Sequence, residues 1–248
     1  MRQLASLFLI AVAFLTRLPV PRKLQTTPDA LARSAMFFPL VGLLVSAGAV
    51  ILNHVFSRYV AHDVVVVLIL IFLVAITGGL HEDALADAAD GFGGGWGKDQ
   101  ILSIMRDSRI GSFGALAIML GLLARFVFMA NVPVARLDGY LLAGQVTSRW
   151  TALPLAFFLP PAREQSGMGA SVAGRITAFS LVTGTVLTVA IVGAALRRQT
   201  FSVLLAAAAT TALSGIYYRR RIGGITGDCL GATNQITEMV VYLTGIMI

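Results

Sequence analysis

The segment Gly78-Gly79-Leu80-His81-Glu82-Asp83-Ala84-Leu85-Ala86-Asp87-Ala88-Ala89-Asp90-Gly91 holds five ionisable side chains, in a chain with only twelve carboxylates. The intervening Ala and Leu favour helix, with Gly91 as its expected stop. On a helix turning about 100° per residue, Asp83, Asp87 and Asp90 fall within roughly 60° of one another, whereas Glu82 lies about 100° from Asp83 and points away. Three carboxylates on one face repel one another. A hard divalent cation relieves that repulsion, and Mg²⁺ commonly joins carboxylates to the phosphates of a substrate. His81 is of a type that serves as general base or ligand, although a lone interfacial histidine more often only hydrogen-bonds.

Two further stretches offer complementary chemistry. In Met105-Arg106-Asp107-Ser108-Arg109-Ile110-Gly111, Arg106 and Arg109 suit phosphate oxygens, and Asp107 suits a metal or the orientation of a guanidinium. The same arginines would equally serve as anchors for the apolar run that follows. Gly227-Asp228-Cys229-Leu230-Gly231-Ala232 makes Asp228 another site candidate and leads to Asn234 and Glu238, which share a helical face. Glu238 belongs either to the site or to a structural pair with Arg125 or Arg149. The glycines of Phe92 to Lys98 read as a turn, because the spacing of a P-loop is absent.

The elements that must position these groups are membrane helices. Of 248 residues, 57% are hydrophobic and 12% charged, against roughly 25% charged in a soluble domain. Crossing the hydrocarbon core takes about 20 mostly apolar residues. Ser34–Asn53, Val64–Leu80, Ile176–Leu196 and Gln199–Tyr218 carry no Asp, Glu, Lys or Arg; Ile110–Ala135, Gly139–Ala162 and Cys229–Ile248 carry one each. The expectation is an all-α, polytopic transmembrane helical bundle of about seven spans plus a short N-terminal apolar helix at Leu4–Leu15. Residues 1–248 read as one integral membrane domain with an acidic segment and loop at 81–109. The formal charge of +7 comes mostly from residues at the ends of apolar runs, which sets orientation and does not indicate nucleic-acid binding. Twelve of the nineteen Lys and Arg, among them Arg22, Lys23 and Arg219 to Arg221, fall on the side of the acidic segment and five on the other. That side is therefore expected to be cytoplasmic. The single cysteine, Cys229, excludes an intramolecular disulfide.

The acidic segment resembles the signature of the cobalamin synthase (adenosylcobinamide-GDP ribazoletransferase) family. Thr16-Arg17-Leu18-Pro19-Val20-Pro21, Ile104 to Gly111 and Thr226 to Ala232 resemble that family's other motifs, in the same order and across essentially the whole chain. Two positions depart from its usual pattern: Glu82 stands for an apolar residue and Ala84 for a glycine. The resemblance implies transfer of the corrin-side phosphoryl group of adenosylcobinamide-GDP to α-ribazole or its 5′-phosphate, with release of GMP, in the bacterial cytoplasmic (inner) membrane. It implies Mg²⁺ as cofactor. Its expected holders are Asp83, Asp87 and Asp90, with Arg106 and Arg109 on phosphate and one of Asp107, Asp228 or His81 assisting deprotonation. The lipid bilayer is the other expected partner; a homo-oligomer or association with other corrinoid-pathway enzymes stays open.

Two rivals are weaker. A CDP-alcohol phosphotransferase-like enzyme would begin its motif Asp-Gly-x-x-Ala-Arg, which is missing from Asp83-Ala84-Leu85-Ala86-Asp87. A transporter would suit the intramembrane Arg125, Arg149 and Glu238, but expects inverted repeats and broken helices at the midplane.

Overall fold

The computed structural model describes residues 2–21, 24, 26–163 and 174–248; Arg22 and Lys23 lie outside them, as does the side chain of Arg2. The described residues are all-α, and their only β feature is an isolated bridge between Pro161 and Ile225.

Each apolar run becomes helical. The short N-terminal run is α1 (Arg2–Leu15), followed by α2 (Pro28–Ser34), a 3₁₀ turn and α3 (Phe38–Phe56). Then come α4 (His62–Thr77), the acidic helix α5 (Leu80–Gly94), α6 (Lys98–Ile104), α7 (Ser112–Asn131) and α8 (Val134–Trp150). α9 (Ala152–Phe158), α10 (Ala178–Leu196), α11 (Thr200–Ile222) and α12 (Gly227–Met247) complete the chain. Pro154 lacks the N–H that would bond the carbonyl of Trp150, which accounts for the break between α8 and α9. The α5 helix passes its expected stop at Gly91 and ends at Gly94. Phe92 holds that extra turn by stacking on Tyr218 at a centroid separation of 5.6 Å and meeting Tyr217 edge-on.

Among the described residues three helical runs are long and apolar enough to cross a membrane: Pro28–Phe56, Ser112–Asn131 and Ala178–Ile222. The pair α4 and α5 qualifies only when taken together, and it is bent by 85°. The expected seven spans are therefore not reached by length and hydropathy, for three reasons. α10 and α11 form one helical run that reverses at Arg197, where φ is 49°. α8 is short, and α12 is diluted by buried polar residues such as Asn234, Gln235 and Glu238. Those residues face the bundle interior, while Leu116, Leu120 and Leu123 of α7 and Val182 and Val186 of α10 point outward, as a lipid-facing surface requires.

α8 and α12 form the centre, with Leu141, Val146, Val241 and Tyr242 fully enclosed. The bend between α4 and α5 is made by Gly78 and Gly79, at φ 67° and 72°, in the left-handed region that favours glycine. α5 carries all the charge of this pair beyond the first turn of α4 and leaves it at an angle of 85°.

Candidate functional site

The four sequence motifs meet around α5. Arg17, in the first, donates its backbone N–H to the Ile76 carbonyl at 2.7 Å, and its side chain covers Gly78. The first motif is thereby fixed to the corner from which the acidic helix starts. In the third motif, Gly111 caps α7, and the Asp90 carboxylate accepts the Gly111 N–H at 2.7 Å and the Gly114 N–H at 2.8 Å. Asp90 thus satisfies two of the amides that a helix start leaves unpaired and places negative charge at its positive end. In the fourth, Thr226 caps α12 by accepting the Cys229 N–H at 3.2 Å, and its hydroxyl reaches Met105 of the third motif.

Between α5, α8 and α12 lies a cavity of about 280 Å³. Asp83 and His81 enter it from α5, Asp228 and Asn234 from α12, and Ser148 and Arg149 from α8, with Phe14, Leu15 and Phe38 as an apolar wall. Asp228 is held by the Thr226 hydroxyl at 3.1 Å, with Arg163 at 3.9 Å. Asp87 lies one turn beyond Asp83. Partial burial and the charges of Asp83, Asp228 and Asp90 push its carboxyl up to about 6.

Among the described residues no three His, Cys, Asp or Glu side chains form a ready-made metal cage. Mg²⁺ does not require one, since it usually takes one or two carboxylates and completes its shell with water and substrate phosphate. The donor set fits such an ion: all-oxygen, mutually repelling and open on one side. Asp83, Asp87 and Asp228, whose charges act on one another, could hold it together with substrate phosphate and water. Asp90 adds its charge, with each oxygen already accepting an α7 amide.

Arg106, Asp107 and Arg109 stand apart from the cavity, on the connection between α6 and α7. Arg109 forks onto both Asp107 oxygens, at 2.6 to 3.2 Å. Hydrogen bonds from Arg109 hold the Asp107 carboxyl down at about 2, which makes it a poor proton acceptor. Arg106 is exposed.

Glu82 points away from the aspartates and into the protein, where Arg125 Nη1 donates to it at 2.7 Å and Gln235 at 3.1 Å. Arg125 Nη2 pairs with Glu238 at 3.0 Å. From there the network continues through Tyr242 and Gln145 to Arg149. Glu238 therefore joins the structural pair. Sequence reasoning missed Arg149 and Asn234 as cavity residues; the signal was present, a charge and an amide inside apolar runs, but only the crossing of α8 and α12 brings them together.

Comparison with known proteins follows the same course. The model of the cobalamin-5-phosphate synthase family (CobS) matches residues 7–246. A protein of Shewanella amazonensis named adenosylcobinamide-GDP ribazoletransferase is 38% identical over 242 residues, covering 96% of this chain and 93% of its own. One of the same name from Shewanella pealeana is 34% identical over 262 residues, covering 98% and 95%. No solved structure matches. With its four motifs gathered at one acidic helix and the family match running nearly from end to end, this chain belongs to the cobalamin-5-phosphate synthase family.

Proposed function

We propose that this chain is an adenosylcobinamide-GDP ribazoletransferase that works with Mg²⁺ in the bacterial inner membrane. A ribose hydroxyl of α-ribazole, or of its 5′-phosphate, attacks the corrin-side phosphorus of adenosylcobinamide-GDP. The bond to the bridging oxygen breaks, GMP leaves with that oxygen, and the hydroxyl proton passes to a protein base. The observation that carries the reading is the convergence of Asp83 and Asp228, from two separate motifs, on one cavity.

Bound Mg²⁺ would supply charge neutralisation on the diphosphate and the leaving GMP. Asp83, Asp87 and Asp228 would fix where the diphosphate lies. His81 is our choice of proton acceptor, because it lines the cavity, its Nε2 has no hydrogen-bond partner among the described residues, and burial together with the charges of Arg149 and Arg125 keeps its imidazole neutral. Arg106 and Arg109, outside the cavity, would meet phosphate oxygens of the substrate that extend beyond it, with Asp107 orienting Arg109. The reading puts the site on the cytoplasmic side. In its support, twelve Lys and Arg fall on the side of the acidic segment, with Arg163 and Arg221 contacting the site end of the bundle, against five on the other side, which include Arg197 and Arg198 at the opposite turn.

The test is GMP release by purified protein given both substrates. The rate is expected to depend on Mg²⁺ and to vanish in Asp87→Asn. Wild-type turnover in that variant, or undiminished turnover in excess chelator, would sink the metal assignment. Movement of substrate into sealed vesicles without GMP release would favour a transporter.

A further inference from the structure

Three buried polar side chains of the cavity have atoms that no described residue satisfies. His81, Arg149 and Asn234 are 6%, 2% and 4% exposed. His81 Nε2, Arg149 Nε and Asn234 Oδ1 are enclosed without a hydrogen-bond partner, and all three residues line the same space. A buried polar atom left unpaired costs stability, so three around one cavity mark a surface shaped for a ligand.

The chemistry of that ligand follows from the atoms. Arg149 is held by Gln145, whose backbone carbonyl and side-chain oxygen accept from Nη1 at 3.1 and 2.7 Å. Among the described residues no carboxylate is within ion-pair distance of it, whereas Arg125 has both Glu82 and Glu238. A fixed, buried guanidinium with a free donor edge selects an anionic oxygen. The Asn234 carboxamide, which lines the same cavity as His81, selects a hydroxyl. At about 280 Å³ the cavity is at the small end of ligand pockets, which run from about 300 Å³. It admits one portion of a large substrate and not a corrin ring.

We propose that this cavity is a sugar-phosphate subsite, in which Arg149 takes a phosphate oxygen and Asn234 a hydroxyl of the attached pentose. The proposal rests on the transferase reading above. In that reaction a pentose phosphate occurs both in α-ribazole 5′-phosphate and in the guanosine half of the donor, and the test separates the two.

Binding is measured without turnover, by thermal unfolding of the full-length protein in detergent with ribose 5-phosphate, ribose or inorganic phosphate. Ribose 5-phosphate stabilises the wild type most, inorganic phosphate less and ribose not at all. Arg149→Gln and Arg149→Lys each weaken ribose 5-phosphate binding, the Gln variant by roughly 10- to 100-fold. Asn234→Ala weakens ribose 5-phosphate binding and leaves inorganic phosphate binding unchanged. No response in the wild type, or a wild-type response in both Arg149 variants, overturns the proposal. In turnover, Arg149→Lys raises KM for α-ribazole 5′-phosphate but not for α-ribazole if the subsite is the acceptor's. It raises KM for adenosylcobinamide-GDP with either acceptor if the subsite holds the guanosine half. Unchanged KM for all three substrates overturns it as well. A wild type that binds ribose 5-phosphate but releases no GMP would overturn the transferase reading and leave the subsite standing.

Discussion

Gly231 of α12 faces Ala84 of α5 so closely that a methyl group on Gly231 would overlap the Ala84 methyl. This contact sets the separation of the two helices that carry Asp83 and Asp228. Gly231→Ala is expected to force them apart at a cost of about 1–3 kcal/mol, the usual range for overpacking. Melting temperature and GMP release should both fall, and adding Ala84→Gly should restore them by returning the lost space. An unchanged melting temperature in Gly231→Ala would show that the helices yield freely there.

Asp87 and Asp90 lie on one face of α5 but are predicted to fail differently. Asp90→Asn keeps one carbonyl acceptor for the two amides of Gly111 and Gly114, so α7 loses part of its cap. Losing a cap costs about 0.5–2 kcal/mol, and the variant should melt earlier. Asp87→Asn removes one charge from a crowded carboxylate group. It should melt no earlier than wild type in the absence of metal, yet lose transfer. Equal destabilisation of the two variants would argue against separate roles.

The site should respond to pH through Asp87. Its carboxyl ionises near 6 in the fold, against an ordinary value of 3.8. As pH rises between those values the unfolded chain gives up this proton before the folded protein does. The contribution of Asp87 to stability therefore declines over that window and is level above it. A bound divalent cation displaces the proton, so apparent Mg²⁺ affinity should rise about tenfold per pH unit below 6 and flatten above. Initial rates at limiting Mg²⁺, measured from pH 5 to 8, check this. Asp107, ionised down to about 2, leaves the profile unchanged when replaced by Asn.

Much of this arrangement was legible in the sequence because it is local. Helical spacing alone separated Glu82 from Asp83, and the structure turns Glu82 inward to Arg125. The absence of charge marked the apolar helices, although the run expected to reach Leu80 ends at Thr77, where Gly78 and Gly79 turn the chain. Groupings that depend on helix crossing were not legible. Nothing in the run from Gly139 to Ala162 indicates that Arg149 shares a cavity with Asn234, 85 residues later, and nothing around Asp90 indicates that it reaches over to cap α7. The stop expected at Gly91 failed for the same reason, since Phe92 is held by Tyr217 and Tyr218 from α11. The count of seven spans is not confirmed by hydropathy, which cannot distinguish the interior polar residues of α12 from an exposed polar face.

Arg125 ties α7 to α5 through Glu82 and to α12 through Glu238, at 2.7 and 3.0 Å, and is 2% exposed. Arg125→Met would leave both carboxylates without their counter-charge. Breaking a buried pair by removing one partner costs about 3–5 kcal/mol, and the variant should be strongly destabilised in detergent. Adding Glu82→Gln and Glu238→Gln removes the stranded charges and should recover most of that loss, because a neutral replacement of a buried ionic group is often well tolerated. Arg125 does not line the cavity, so the triple variant should regain GMP release along with stability. A transporter using these charges as an ion path predicts the opposite, since a neutral network would remain folded and inactive. Recovery of melting temperature without recovery of turnover would therefore remove Arg125 from a purely structural role.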